Sequence, residues 1–439
     1  MTSRNQRWRA LLAVVLPLLL VSSLASCAEK DKDDESSTES GGGSGDSSGG
    51  EVTLFGPEVD IEAEGLENSF KEFEEETGID VVYQGDRSFE EQIGVRVDGN
   101  DAPDIAMFPQ PGKVADFADQ IVTLDGEIAD QVGENFDPGW TDFVTIDGDL
   151  KAIPAKADLK SLVWYSPAAF TEAGYEVPET FDDFLALVDK IIADGKTAFC
   201  VGLGSDAATG WPFTDWMEDY MLRLKGPEVY DQWRSHEIPF NDPDVIEVGE
   251  AVYELWSKPG AVFGGIQNAP STPFAEAGLP LVDGDCVLHR QGNFYSTLWE
   301  DGTELGPEGD VNAFYLPGNE EFGNVTLSGG IYAAAFSDDE DTMKVMEFLA
   351  STDYANARAQ VSGYLSPNKN VDASNYPSEL EQNFGQILVE ADPVRFDASD
   401  LMPGAVGAGS FWTAAVDITT GAKTVKDAFD EVEASWPSD

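Results

Sequence analysis

Apolar positions along this 439-residue chain recur in two alternating rhythms, and the alternation predicts an α/β body. Val52-Thr53-Leu54-Phe55 before Gly56-Pro57 reads as a strand and turn. Leu66, Phe70 and Phe73 then fall at i, i+4 and i+7, a helical stripe stopped by Gly78. Ile79-Asp80-Val81-Val82-Tyr83 returns as a strand, a second helical pattern runs from Ser88 to near Gly99, and residues 103–108 form a third strand. This β-α-β-α-β order predicts a parallel sheet with helices on both faces. Such sheets hold ligands beyond the carboxyl ends of their strands, which makes residues 56–58, 85–87 and 109–112 one candidate rim.

Further along, Ala152-Ile153-Pro154 and Leu162-Val163-Trp164-Tyr165 are short extended segments around a polar interval. Thr180 and Asp183 form a capping box that feeds an amphipathic helix through Leu187, Val188, Ile191 and Ile192, closed by Gly195. The aromatic-rich stretch from Trp211 to Trp216 opens another helix. Residues 410–420 and 424–436 read as two more, the second with a Thr424…Asp427 box. No repeat with a period of about 20–50 residues is visible, which sets solenoids and propellers aside.

Composition narrows the function classes. A hydrophobic fraction of 42% supports real cores, while 83 acidic against 25 basic residues give a net charge of −58. That field repels phosphate backbones and anionic lipid surfaces and so excludes nucleic-acid binding. Only His236 and His289 are present, too few for a His-rich metal site, and both are expected to be structural. No nucleophile elbow, Walker A loop, His-Glu-x-x-His, paired Cys-x-x-Cys or complete EF-hand loop occurs, so no metal or other cofactor is expected. Asp338-Asp339-Glu340-Asp341 is either a solvated helix start or a cation-catching cluster.

The amino terminus carries an address. Arg4, Arg7 and Arg9 precede an apolar run over 10–21 that is shorter than the roughly 20 residues a bilayer span needs. Leu24-Ala25-Ser26-Cys27 then reads as a lipobox. Residues 1–26 would be removed and Cys27 diacylated, anchoring the chain on the outer face of the cell membrane. The Ser/Gly/Asp/Glu-rich stretch 27–50 is expected to be a tether with an r.m.s. reach of roughly 25–30 Å. With Cys27 committed to lipid, Cys200 and Cys286 remain as an even pair in an oxidising compartment. A disulfide is expected, with two buried thiols as the alternative.

Several stretches together carry a family resemblance. Phe199-Cys200-Val201-Gly202 runs into Ala207-Ala208-Thr209-Gly210-Trp211-Pro212-Phe213-Thr214-Asp215-Trp216, followed by Gly226-Pro227-Glu228-Val229-Tyr230. His236-Glu237-Ile238-Pro239-Phe240-Asn241-Asp242-Pro243 and Cys286-Val287-Leu288-His289-Arg290-Gln291 extend the pattern. From Glu51 to Trp436 the chain resembles the sugar-binding lipoproteins of bacterial ABC importers, in their maltose- and α-glucoside-binding branch. The resemblance implies two α/β lobes joined by a hinge, with the ligand in the cleft between them. Residues 51–156 plus 325–368 would form lobe one, and 157–324 plus 369–439 lobe two.

The same resemblance implies ligand contacts. Asp158, four residues after Pro154, and Asp206, five before Trp211, match the family's two acidic positions. Phe411-Trp412 matches its stacking aromatic, and Gly292-Asn293-Phe294 its aromatic platform. Trp211 and Gln110 complete the set. Carboxylates accept hydroxyl protons in charge-assisted bonds, and indole faces cover the C–H side of a pyranose. The family's aromatic two residues after the second acid is Ala208 here, and Phe108-Pro109-Gln110 replaces its first-lobe tryptophan and basic neighbours. Arg290 is expected to pair with a structural carboxylate. The implied protein is a monomeric receptor, not an enzyme, that closes on a neutral sugar and delivers it to permease subunits. The alternatives are a membrane-anchored glycoside hydrolase, which needs two carboxylates at a fixed separation, or a binder of another solute such as a polyamine.

Overall fold

The computed structural model describes residues 49–391 and 393–437. The expectations for the signal segment, Cys27 and most of the tether therefore lie outside the described residues. Folded structure begins with β1 (Glu51–Gly56), the helix Asp60–Thr77, β2 (Asp80–Gly85), the helix Phe89–Asp98 and β3 (Ile105–Phe108). This is the predicted order. Gly78 ends the first helix in the left-handed region, at φ +74°, where a Cβ is disfavoured. A small hairpin, β4 (Thr145–Ile146) and β5 (Asp149–Leu150), leads into β6 (Ile153–Leu159) and β7 (Leu162–Tyr165). β8 (Leu288–Arg290), β9 (Asn312–Tyr315), β10 (Thr326–Ala335) and β11 (Val394–Phe396) complete the strands among the described residues.

The main sheet has the order β11-β10-β3-β1-β2, with β6 on β10. β1 is parallel to β2 and β3, as the βαβ rhythm predicts, and β10 is parallel to β11. β10 runs antiparallel to both β3 and β6, so the sheet is mixed where a purely parallel one was expected. The cause is a long return crossing from far along the chain, which local periodicity does not encode. Gly329 and Gly330 let it pass. A Cβ on Gly330 would lie 2.3 Å from the Lys156 carbonyl oxygen, and one on Gly329 would lie 2.5 Å from the Lys160 side chain. A second, antiparallel sheet has the order β8-β7-β9.

Both faces of the main sheet are covered. Leu54 and Met107 pack with Leu66, Phe70 and Met346 on one face. Phe55 and Phe108 pack with Phe89 and Phe396 on the other. The alternation at adjacent positions is the period-two geometry of a strand buried on two sides. A larger core gathers the helices Phe181–Ala193, Trp211–Leu224, Pro243–Ser257, Phe411–Thr420 and Val425–Ser435. Thr180 and Thr424 cap two of these helices by accepting the amide protons of Asp183 and Asp427, both at 3.1 Å.

Cys200 and Cys286 form a disulfide, with Cα atoms 5.5 Å apart. Of the two strands expected beside them, the one after Cys286 is present as β8. Phe199 makes only isolated bridges, to Val262 and Leu288. Alkylation of the denatured, unreduced protein followed by intact-mass analysis should add no label at these two positions, and two labels after reduction. Two labels without reduction would mean free thiols.

The acidic run at 338–341 starts the helix Glu340–Leu349. Lys344 pairs with Glu340 at 2.9 Å and with Asp341 at 3.2 Å, while Asp341 accepts the Gly50 amide proton. His236 stacks on Trp436 and lies 3.0 Å from Glu433. His289 donates to the Cys200 carbonyl, and burial pushes its imidazole down to about 4, leaving it neutral.

Candidate functional site

The predicted rim lines a cavity. Pro57 and Glu58 follow β1, Arg87 follows β2, and Pro109 and Gln110 follow β3; all five border a space of about 140 Å³. β6 supplies the floor. Lys156 and Asp158, together with Lys160 just past the strand, stand two residues apart and so project from one face, and all three line the cavity.

Each lysine clasps a different set of carboxylates. Lys156 Nζ lies 2.8 Å from Glu58, 3.9 Å from Glu62 and 3.8 Å from Asp158. Burial alone would raise the Glu58 carboxyl, but Lys156 and Arg358 outweigh it and hold the group below its ordinary value. Lys160 Nζ lies 2.6 Å from Asp397, 3.2 Å from Asp215 and 3.7 Å from Asp400. Burial would lower this ammonium; the surrounding carboxylates reverse the sign and raise it. Both lysines are therefore charged and occupied.

Asp158 differs from its neighbours. It is buried, and burial raises its carboxyl against the pull of Lys156 and Lys160. Its Oδ1 has no hydrogen-bond partner, since Lys156 is too distant to donate. A buried acceptor without a donor costs about 1–3 kcal/mol, a deficit that a hydroxyl from the cavity would remove.

Aromatic walls complete the space. Trp211 opens the helix Trp211–Leu224 and packs on Phe274, with ring centroids 5.1 Å apart, and on Phe294 at 6.1 Å. Trp412 lines the cavity from the helix Phe411–Thr420, and its indole Nε1 has no partner. Gly210 lies against the Trp412 main chain: at φ +124°, a Cβ there would meet the Trp412 carbonyl oxygen at 2.4 Å.

Five residues singled out in the sequence, Gln110, Asp158, Trp211, Phe294 and Trp412, thus share one cavity. Asp206 is exposed. It begins a turn at φ +46° and lies outside the lining, although Ser205 and Ala208 on either side belong to it. Asn293, next to Phe294, is structural: it accepts from the Leu159 amide and donates to the Gly363 carbonyl. The sequence reading missed the lysines and the carboxylates around them. The Lys156-Ala-Asp158-Leu-Lys160 alternation carries a signal for one charged face, whereas nothing local marks Asp397 or Asp400. Arg290 is structural as expected: it pairs with Asp215, which lines the cavity, and with Asp219, which does not.

A family model described as a bacterial extracellular solute-binding protein matches residues 60–278. The osmoprotective compounds-binding protein GgtB of Synechocystis is 41% identical over 394 residues, 88% of this chain and 92% of the relative. The chain belongs to the bacterial extracellular solute-binding proteins. The alpha-glucosides-binding periplasmic protein AglE of Rhizobium meliloti is 37% identical over 407 residues, 90% of this solute-binding protein and 88% of the relative.

Solved structures share its fold. The bacterial solute receptor AcbH superposes with a TM-score of 0.76 at 17% identity, covering 88% of this chain and 98% of the receptor. A maltose-bound protein of T. maritima gives 0.70 at 18% identity, over 88% and 98%. The fold class is α/β with two lobes. Its relatives are binding proteins, and this solute-binding protein works outside the cytoplasm as a receptor, not as an enzyme.

Proposed function

We propose that this protein is the lipid-anchored receptor of an ABC importer and captures a neutral mono- or oligosaccharide of α-glucoside type. The observation that carries the reading is the unpartnered Asp158 oxygen in a cavity walled by Trp211 and Trp412. A pyranose offers what those groups lack: hydroxyl donors for the carboxylate and apolar C–H faces for the rings. AglE is an alpha-glucosides-binding protein, which supports a solute of this kind, and GgtB binds osmoprotective compounds. Lobe one would comprise 51–156 plus 325–368, and lobe two 157–324 plus 369–439. The sugar would stabilise the closed arrangement by its differential affinity and pass to permease subunits from a monomeric carrier.

Calorimetry with maltose, trehalose and sucrose against spermidine, with product analysis, tests this. Binding of a sugar without turnover supports the reading; binding of spermidine alone, or sugar hydrolysis, overturns it. For the anchor, Cys27→Ser should abolish acyl labelling and release the protein from the membrane fraction. Persistent labelling of that variant would remove the lipoprotein reading.

A further inference from the structure

Two more unpartnered atoms face the same cavity. Gln110, beyond the end of β3, is 5% exposed and precedes the helix Pro111–Asp116 without capping it, so its carboxamide is free for other work. Its Nε2 donates to Glu90 Oε1 at 3.1 Å. Glu90 stands in the first turn of the helix Phe89–Asp98 and also lines the cavity. Gln110 Oε1 and Glu90 Oε2 have no partner.

We propose that Glu90 is a specificity-determining residue of this site: it orients the Gln110 carboxamide, and the two side chains present a pair of acceptors that reads hydroxyl groups on the solute. The inference rests on the sugar reading above and deepens it. Glu90 Oε1 accepts from the Gln110 NH₂, which turns the Gln110 carbonyl away from it. With Asp158 Oδ1, the fully buried atoms of the cavity wall that lack a partner are three acceptors and one donor, the Trp412 indole N–H. A solute end rich in hydroxyls satisfies that set. A carboxylate or other acceptor-only group would leave it unpaired, and refusal of such solutes is part of selectivity.

The test uses the mature protein and whichever of maltose, trehalose and sucrose binds it most tightly, together with monodeoxy derivatives of that sugar. Glu90→Ala is expected to weaken the parent sugar about tenfold, the loss of one charge-assisted bond, with an unchanged melting temperature. The deoxy derivative that loses most on the wild-type protein should lose nothing further on Glu90→Ala, and Glu90→Asp should restore part of the discrimination. Equal losses for every deoxy derivative on both proteins would overturn the proposal. So would an affinity unchanged by Glu90→Ala. Failure of all three sugars to bind the wild-type protein would instead overturn the sugar reading itself.

Discussion

Replacing Arg290 by methionine is expected to cost about 3–5 kcal/mol of folding stability at pH 7, the usual penalty for leaving a buried charge without its partner. Arg290 and both of its partners, Asp215 and Asp219, have side chains no more than 1% exposed. Its Nε bonds Asp219 at 2.9 Å, its Nη1 bonds Asp215 at 3.1 Å, and its Nη2 contacts Asp219. Asp219 keeps Arg223 and the Ser161 hydroxyl, while Asp215 keeps only Lys160. The pH dependence follows from Asp215, which burial pushes up to about 6 despite Lys160 and Arg290. An unfolded aspartate titrates near 4, so between roughly pH 4 and 6 the folded state holds the extra proton and gains stability as the pH falls. Loss of Arg290 raises this carboxyl further, so the variant gains more than the wild type on acidification. Urea unfolding at pH 7 and pH 5 should show the deficit narrowing at the lower pH. A loss below about 1 kcal/mol, or one indifferent to pH, would mean that Arg290 does not hold these carboxylates.

Trp412→Ala should lower affinity for the bound sugar about 5- to 150-fold, a loss of roughly 1–3 kcal/mol, and should also lower the melting temperature, because the side chain is only 4% exposed. Its neighbour Phe411 does not line the cavity and should affect stability without this loss of affinity. Phe411 is fully buried in the large core, packed edge-on against Phe240 at 4.8 Å and Trp233 at 5.9 Å. Truncating it to alanine should cost about 3–5 kcal/mol of stability. Adjacent helical residues point about 100° apart, which is how one turn serves both core and cavity. Calorimetric affinity paired with thermal unfolding separates the two roles. Near-normal affinity with a much lower melting temperature for Trp412→Ala would make Trp412 a core residue as well.

Elements whose causes are local were legible in the sequence. The capping boxes at Thr180 and Thr424, the glycine stop at Gly78 and the first three strands depend on neighbours a few residues away, and each is present. β10 was not legible, because nothing near Gly329-Gly330 in the sequence reveals that β6 presses against it. The cavity divides along the same line. Trp211, Trp412 and Asp158 carry a recognisable pattern, whereas Glu90, Asp397 and Asp400 look like three among 83 acids. Asp206 shows the limit of matching by spacing: a left-handed turn carries its side chain to the surface.

The close approach at Gly210 has a mechanical consequence. No residue with a side chain fits between the start of one helix and the Trp412 main chain, and Trp211 follows immediately. Two indoles from distant parts of the sequence are thus mounted on one stiff jaw, whose gape is set when the chain folds. Rings held in advance give up little rotamer freedom when a solute arrives, so their contact area converts into affinity with less loss.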